Sequence, residues 1–206
     1  MCRSGKEKSL RKVEAYKKEY IDAKKAVEGL IFIKKSPLMV AIDGKCGAGK
    51  TTLGNFLKEV FDCNVFHMDD FFLQNEQRTE CRLKEVGGNV DYERFQKEVI
   101  LPVLEKKEVL YRPFRCDIRA IAEEKRIPYK RLNIIEGAYS QHPYFKECYQ
   151  LRIFMDLSEG EQIRRIRIRN GESMLRRFME EWIPKENAYF KQFHIREKSD
   201  LILKES

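Results

Sequence analysis

The sequence of 206 residues lacks several features that would assign it to common protein classes. It has no run of about 18 apolar residues, which a membrane-spanning helix requires. No apolar stretch of the signal-peptide type follows its basic N-terminus, MCRSGKEKSLRK. Its six cysteines are scattered, with no C-x-x-C pair and no nearby histidine to complete a zinc site. We therefore expect a soluble, unexported, cytoplasmic protein with reduced thiols and no membrane partner.

The charge balance favours anionic partners. Lysine and arginine number 41 against 33 acidic residues, which gives a formal net charge of +8. Nucleotides, nucleic acid and acidic lipid all fit such a charge, so the charge does not choose among them. The chain carries no motif of interleaved aromatic and basic residues for stacking on RNA, and a nucleic acid partner is therefore not expected. The length fits one domain that spans residues 1–206.

Short apolar runs alternate with helical patterns along the chain. Five runs read as strands, and the first, LMVAID after Pro37, is apolar up to its final aspartate, as expected for a strand buried on both faces. The runs are LMVAID, NVFHMDD, RLNIIEG, QLRIFMDL and SDLIL. Helical stretches such as KTTLGNFLKEVF lie between them, and Pro102 is expected to interrupt or bend the one that reads DYERFQKEVILPVLEKK. This alternation predicts an α/β fold with a three-layer, largely parallel sheet.

An amphipathic helix is predicted over residues 6–28, within an N-terminal extension of residues 1–36. Apolar side chains recur there at steps of three and four with lysines between them, and Gly29 closes the pattern. A membrane-surface or RNA-binding helix is one interpretation. A basic solvated face above a packed apolar stripe is the preferred one.

A glycine-rich segment, AIDGKCGAGKTT, follows the first predicted strand and opens the first predicted helix. It fits the pattern G-x-x-x-x-G-K-[ST], in which bare backbone turns its N–H groups towards phosphate oxygens. Lys50 would reach the β- and γ-phosphates, and the Thr51 hydroxyl would bind Mg²⁺. A glycine-rich turn with a chance lysine is the alternative. The predicted ATP-binding segment consists of Gly44, Lys45, Cys46, Gly47, Ala48, Gly49, Lys50, Thr51 and Thr52.

Two motifs that would complete other nucleotide-binding classes are missing. The guanine-reading N-K-x-D motif of GTPases is absent, and so is the L-S-G-G-Q motif of transporter ATPases. The glycine segment alone does not say whether water, a protein or a small alcohol receives the phosphoryl group.

Acidic residues at the ends of predicted strands are the next candidates for chemistry, because ligands of open parallel sheets sit beyond the carboxyl ends of the strands. Phosphoryl transfer to a hydroxyl needs a base, and Asp69 is the predicted one, with Asp70 capping or orienting the segment after it. Glu136 is predicted to hold Mg²⁺ as a Walker B acid does. A helix cap for the aspartates and a strand-end turn for Glu136 are the structural alternatives. Asp156 has a weaker case, because it directly precedes the S-x-x-E cap at Ser158.

An arginine-rich segment at about 158–180 is predicted to form a lid. Six arginines fall between residues 164 and 177, and Asn170-Gly171 divides the segment. Arg165 and Arg169 are four residues apart, so they share one side of a helix and could bind ATP phosphates. A solvated basic helix and an RNA-binding helix are the alternatives.

Taken together, IDGKCGAGKTTL, HMDDFF, GGNVDYERF, IIEGAYS, RRIRIRN and SDLIL resemble, in order and spacing, the uridine kinase and nicotinamide riboside kinase group of P-loop kinases, within the phosphoribulokinase/uridine kinase family. The resemblance covers about residues 38–203. It implies the P-loop NTPase fold with a mainly parallel five-stranded sheet, ATP and Mg²⁺ as cofactors, and transfer of the γ-phosphoryl group to a primary hydroxyl. It also implies that Asp69 is the general base and that Asp91 holds hydroxyl groups of the acceptor.

The segment YRPFRCD departs from the family pattern. It carries Arg112 and Arg115 where nucleoside kinases more often have tyrosine and histidine, and both are predicted to bind the substrate. Such cations would suit an acceptor with a carboxylate or phosphate, and surface roles for both are the alternative.

The sequence thus predicts an ATP-dependent small-molecule kinase in which Lys50 and Asp69 are catalytic and the acceptor is a nucleoside. A kinase for a pantothenate-like or sugar-phosphate acceptor is one alternative. A nucleotide-binding regulator that hydrolyses ATP is another, and a nucleic-acid-binding module is a third. The oligomeric state, including a homo-oligomer, stays open.

Overall fold

The computed structural model describes residues 18–35 and 37–205. Its centre is a sheet of five strands, numbered in chain order, that run parallel to one another in the order β2-β3-β1-β4-β5. The strands are β1 Leu38–Gly44, β2 Cys63–His67, β3 Leu132–Glu136, β4 Leu151–Leu157 and β5 Leu201–Glu205. Each strand falls on one of the predicted apolar runs. The predicted α/β class and the parallel five-stranded sheet are confirmed.

The strand register brings three polar segments to one edge of the sheet. Ile42 lies beside Glu136, and Glu136 lies beside His67 across the next ladder. Gly44 pairs with Met155 on the other side of β1. The glycine segment, the end of β2 and the end of β3 therefore meet beyond the carboxyl ends of the strands, where open α/β sheets bind their ligands.

Helices cover both faces of the sheet. They are α1 Lys18–Ile33, α2 Lys50–Val60, α3 Glu80–Lys84, α4 Tyr92–Phe95, α5 Leu101–Leu104, α6 Glu159–Arg177 and α7 Ile183–Phe193. Side chains of a strand alternate between its two faces, so Val40 packs in the core beneath α1 and α2 while Met39 and Ala41 pack in the core beneath α4 and α7. The predicted three layers are present. No helix in the described ranges combines the length and apolar character needed to cross a membrane.

Helix α1 is only partly where the sequence placed it. The predicted part before residue 18 lies outside the described residues, and the helix runs past Gly29 to Ile33, so the predicted end was wrong. Glycine in a helix interior costs about 1 kcal/mol relative to alanine, which neighbouring contacts offset. Tyr20 and Val27 are buried in the core with the sheet, which supports the packed-stripe interpretation for the described part.

The helical stretch that contains Pro102 is not interrupted at the proline. Helix α4 continues through a π turn, Gln96–Ile100, directly into α5, and backbone angles at the junctions stay in the right-handed helical region. Proline lacks an N–H and clashes with the carbonyl four residues earlier. The wider π turn before Pro102 accommodates both effects, so helix and proline coexist.

The arginine-rich segment forms one long helix with an internal break. Helix α6 is interrupted at Gly171, whose φ of 78° and ψ of 170° are not helical, as the Asn170-Gly171 pair predicts. The Ser158 hydroxyl accepts a hydrogen bond from the Glu161 N–H and caps the helix. A π turn, Phe178–Trp182, then joins α6 to α7.

Two small hairpins were not predicted. Val109–Tyr111 pairs with Lys125–Ile127, and Phe114–Arg115 pairs with Ala120–Ile121, both antiparallel. Their strands have two or three residues, too few to show an alternating pattern in sequence.

Candidate active site

The glycine segment between β1 and α2 forms a tight loop. Gly44, Gly47 and Gly49 have positive φ values of 137°, 81° and 89°, which favour glycine. A Cβ atom at Gly44 would lie 2.1 Å from the Met155 carbonyl oxygen, so no other residue fits there. Helix α2 begins at Lys50, so the amides of Lys50, Thr51 and Thr52 have no acceptor within the helix. The loop thus leads into helix amides without an acceptor in the helix, and its role as a phosphate-binding cradle stays a prediction.

Not every predicted member of the cradle turns towards it. The Lys45 N–H donates to the Met155 carbonyl, and the Lys45 Nζ donates to the Leu157 carbonyl at 2.7 Å and pairs with Asp156 at 2.8 Å. The Cys46 N–H donates to Glu186. Protein groups therefore already occupy the amides of Lys45 and Cys46. The ATP-binding role of the nine residues stays a prediction.

Lys50 lies at the centre of the loop. Its Nζ donates to the carbonyl oxygens of Gly44 at 2.6 Å and Lys45 at 3.0 Å. Its positive charge acts on the carboxylates of Asp69 and Glu186 and lowers the pKa of each, against the larger effect of burial. The Lys50 ammonium thus binds two loop carbonyls, and its charge also acts on the acid that follows β2.

Thr51 and Glu136 are brought together as predicted. The Thr51 hydroxyl donates to Glu136 Oε1 at 3.1 Å, and His67 Nδ1 lies 2.5 Å from the same oxygen. The hydrogen bond with Glu136 is the main reason why the pKa of His67 is raised. The sequence analysis missed His67, although its position at the end of β2 beside Glu136 follows from the strand pairing.

The Thr51 and Glu136 oxygens fit Mg²⁺, which prefers hard oxygen ligands and usually takes only one or two from the protein, with phosphate and water supplying the rest. No group of three or more His, Cys, Asp and Glu side chains able to hold a metal occurs among residues 18–35 and 37–205.

The two aspartates after β2 have different surroundings. Both lie in the 3₁₀ turn Met68–Phe71. Asp70 accepts a hydrogen bond from the Tyr111 hydroxyl at 2.9 Å and pairs with Lys125 at 3.2 Å. Within the described part of the chain, no hydrogen bond or ion pair engages the Asp69 carboxylate, and the residue is exposed. Asp69 is therefore the aspartate available to a ligand.

Surrounding protein removes part of the water from Asp69 and raises the pKa of its carboxyl above the usual value. Lys50 opposes this shift, while Glu136 adds to it. A carboxylate with a raised pKa is a better proton acceptor than an ordinary aspartate, provided that it is ionised at the working pH.

Asp91 is buried, with 3% of its surface exposed, and its oxygens already have partners. Its Oδ1 accepts from the Arg94 N–H and caps α4, while its Oδ2 accepts from Gln77 at 2.9 Å. It lines a cleft of about 400 Å³ together with Leu73, Gln77, Arg82 and Glu93. Any contact with an acceptor hydroxyl would compete with these bonds, and that role stays a prediction.

The two arginines predicted to bind the substrate lie on the surface. The Arg115 guanidinium pairs with Asp117. Arg112 is exposed, and its carbonyl accepts a hydrogen bond from Arg94 Nη1 at 2.7 Å. No carboxylate of the described residues pairs with the Arg112 guanidinium. Of the two, only Arg112 has its charge free for a ligand.

The two predicted lid arginines also differ. Arg165 Nη1 donates to the Gly47 carbonyl at 3.3 Å, and its Nε donates to Glu161. Arg169 lies exposed, one turn further along α6, and donates to Asn170. The structure therefore places Arg165 at the glycine loop and Arg169 away from it.

Asp43, the last side chain before the loop, was not singled out by the sequence analysis. It is fully buried and accepts hydrogen bonds from the N–H groups of Gly44 at 2.7 Å and Gln141 at 3.0 Å, and from the Tyr189 hydroxyl at 2.9 Å. Burial raises the pKa of Asp43 to about 6, although Gln141 and Lys50 oppose the shift.

Asp43 makes the stability of the fold depend on pH. Because its pKa of about 6 in the folded state lies above the ordinary 3.8, protonation stabilises the fold. This contribution is complete below about pH 4 and is lost as the pH rises through 6. We expect the unfolding free energy of wild type, relative to Asp43→Asn, to fall by about 2 kcal/mol between pH 4 and pH 7, at about 1.4 kcal/mol per pKa unit. Urea unfolding of both proteins across this range measures it, and parallel pH curves would contradict it.

Two solved structures share the architecture of this chain. One is a possible uridine kinase from Bacillus stearothermophilus, with a TM-score of 0.69 and 16% identity over 90% of this chain and 97% of that one. The chain has the P-loop kinase fold. The second structure, a protein provisionally named as a fructose transport system kinase from Silicibacter sp. TM1040, gives a TM-score of 0.66 and 22% identity over 91% and 99% of the two chains.

At these identities the likeness establishes the P-loop kinase fold and leaves the substrate undefined. It confirms the fold implied by the sequence resemblance. No family model matches the sequence, and no curated protein matches it.

Proposed function

We propose that this protein is an ATP-dependent kinase that transfers the γ-phosphoryl group to a hydroxyl of a small molecule. The observation that carries the proposal is the exposed, unpaired Asp69 carboxylate, which follows β2 at the same sheet edge as the Thr51–Glu136 pair and within reach of the Lys50 charge. A hydrolytic NTPase needs the loop and the metal ligands, but a carboxylate open to an acceptor is the part that transfer to an alcohol requires.

Each residue has a definite task in this reaction. Lys50 and Arg165 would offset the negative charge of the phosphates, and the amides at the start of α2 would hold their oxygens. Thr51 and Glu136 would bind Mg²⁺, which when present lowers the charge repulsion between phosphate oxygens. Asp69 would accept the proton of the acceptor hydroxyl as its oxygen bonds to the γ-phosphorus and ADP leaves.

Two acceptor classes have support. The likeness to a possible uridine kinase favours a nucleoside. The exposed Arg112, together with Lys125 beside Asp70, favours an acceptor that carries a carboxylate or phosphate, such as a pantothenate-like compound or a sugar phosphate. We also propose a cytoplasmic location, because the cysteines of the described residues are all free.

An acceptor screen tests this function. ADP release from MgATP is followed with a panel of nucleosides, sugars, sugar phosphates and pantothenate, each against a blank without acceptor. We expect at least one class to raise ADP release well above the blank and to yield a phosphorylated product of matching mass. ADP release that is the same with every acceptor and without any would favour the regulatory ATPase instead.

A further inference from the structure

The outer turn of the glycine loop, Cys46 and Gly47, is held by buried side chains of two helices that lie far away in sequence. Glu186 of α7, 7% exposed, accepts a hydrogen bond from the Cys46 N–H at 2.9 Å. Gln162 of α6, 3% exposed, donates through Nε2 to the Cys46 carbonyl and to the Cys46 Sγ, both at 3.1 Å. The N–H and the carbonyl of Cys46 are therefore both held by side chains.

The next residue of the loop packs against the same helix. A Cβ atom at Gly47 would lie 3.7 Å from Ile166 Cγ1 and 3.8 Å from Arg165 Cβ, which is ordinary contact distance. Cys46 also shares a small apolar cluster with Ile166 and Leu175, on opposite sides of the break in α6. The loop is thus seated on the arginine-rich segment by apolar contacts as well as by hydrogen bonds.

The break at Gly171 lies between two parts of the chain that are both anchored to the glycine loop. Gln162 and Arg165 lie before the break, and Glu186 lies after it, so both sides contact the loop. Residues 167–173 around the break are exposed. Gln162 and Glu186 thus hold the loop from either side of the break, while the turn at the break is exposed to solvent.

Placing a carboxylate at position 186 has an energetic cost. Burial raises the pKa of Glu186, and the charge of Asp43 adds to this shift, while Lys50 opposes it. Hydrogen bonds from its surroundings offset this cost, and a carboxylate accepts from a backbone N–H more strongly than a neutral group does.

We propose that Gln162 and Glu186 are positioning residues that hold the outer turn of the glycine loop in the shape that receives the ATP phosphates. This inference rests on the proposed function. Neither side chain needs to touch ATP, since each acts through the backbone of Cys46. Helices α6 and α7 and the glycine loop then form one unit, so that loss of the Glu186 side chain on α7 changes the shape of the loop.

The test compares ATP affinity among matched variants. Isothermal calorimetry gives the Kd of ATP for wild type, Gln162→Ala, Glu186→Ala and Glu186→Gln. The control is Gln150→Ala, because Gln150 also holds two backbone groups, the Met39 N–H and the Cys148 carbonyl, but at the opposite end of β1. We expect both alanine variants to raise the Kd of ATP about tenfold, with Gln150→Ala unchanged. Glu186→Gln should recover most of the affinity, because glutamine keeps an acceptor oxygen.

A second readout reports the loop itself. Cys46 is buried, and burial followed by the Glu186 charge raises the pKa of its thiol to about 12, so it should react slowly with iodoacetamide. Peptide mass spectrometry resolves Cys46 from the exposed Cys81 and Cys116. Labelling of Cys46 should be faster in Glu186→Ala and Gln162→Ala than in wild type or Gln150→Ala, at temperatures where all four are folded.

The outcomes separate the two proposals. If wild type binds ATP and the two alanine variants bind it equally well with unchanged Cys46 labelling, the positioning role is wrong while the proposed function stands. If wild type binds no ATP, the proposed function fails and this inference fails with it. If Glu186→Ala does not fold, Gln162→Ala carries the same comparison. An equal loss of affinity in Gln150→Ala would show a general loss of stability and would also overturn the positioning role.

Discussion

Replacing Asp69 by asparagine is expected to lower kcat by about 10²- to 10⁴-fold, the usual contribution of a general base, while ATP still binds. Asparagine has nearly the same shape as aspartate but cannot accept the proton of the acceptor hydroxyl. The loop and its metal ligands lie on other elements, so the Kd of ATP should change by no more than a few-fold. Steady-state kinetics with the best acceptor, together with calorimetry for ATP, measure the two effects separately.

Asp70→Asn is the matched control, because Asp70 is the adjacent acid in the same turn but is held by Tyr111 and Lys125. We expect it to reduce kcat much less than Asp69→Asn does. The pH profile gives a further check: wild-type kcat should fall on the acid side as Asp69 is protonated, at a pH above the ordinary aspartate value because its pKa is raised. Equal losses in both variants would assign the effect to the turn rather than to a base.

The second large effect is expected at Lys50. Lys50→Met removes the ammonium group at the centre of the loop and should lower kcat/KM for ATP by about 10²- to 10³-fold, as the loss of a preorganised donor to a phosphate typically does. Nearly isosteric methionine keeps the volume of the side chain, so the fold should survive. Circular dichroism melts of both proteins establish that the loss is not unfolding.

Lys45 provides the comparison for Lys50, since both are lysines of the same loop. The Lys45 ammonium pairs with Asp156 and the Leu157 carbonyl on β4, away from the cradle. Lys45→Met should therefore lower thermal stability and change kcat/KM for ATP only a few-fold. A loss at Lys45 as large as the loss at Lys50 would mean that net charge, rather than the position of one ammonium group, accounts for the effect.

The parts of the fold that local sequence controls were predictable. Buried parallel strands need continuous apolar runs, so LMVAID and RLNIIEG identify β1 and β3 without knowledge of their neighbours. Gly171 breaks α6 where the sequence places it, because its backbone angles are set locally. The predicted helix end at Gly29 was wrong. Packing of Tyr20 and Val27 in the core with the sheet outweighs the low helix propensity of a single glycine.

The parts of the site that depend on distant partners were not predictable. Glu186 and Gln162 come from helices more than 100 residues after Cys46, and nothing around either residue marks it. Lys45 fits the loop motif, yet its side chain turns to Asp156 because β4 is the neighbour of β1. Asp91 fits the family position for an acceptor ligand, but in this chain Gln77 and Arg94 already bind its oxygens.

The destination of the γ-phosphoryl group tests the central claim most directly. ³¹P NMR of a reaction with MgATP and the acceptor found by the screen distinguishes a phosphate ester from inorganic phosphate. The account predicts that wild type converts ATP to ADP and one equivalent of the phosphorylated acceptor, and that Asp69→Asn forms almost none. If the γ-phosphoryl group appears only as inorganic phosphate, at the same rate with and without acceptor, the protein is a hydrolytic NTPase and the account is wrong.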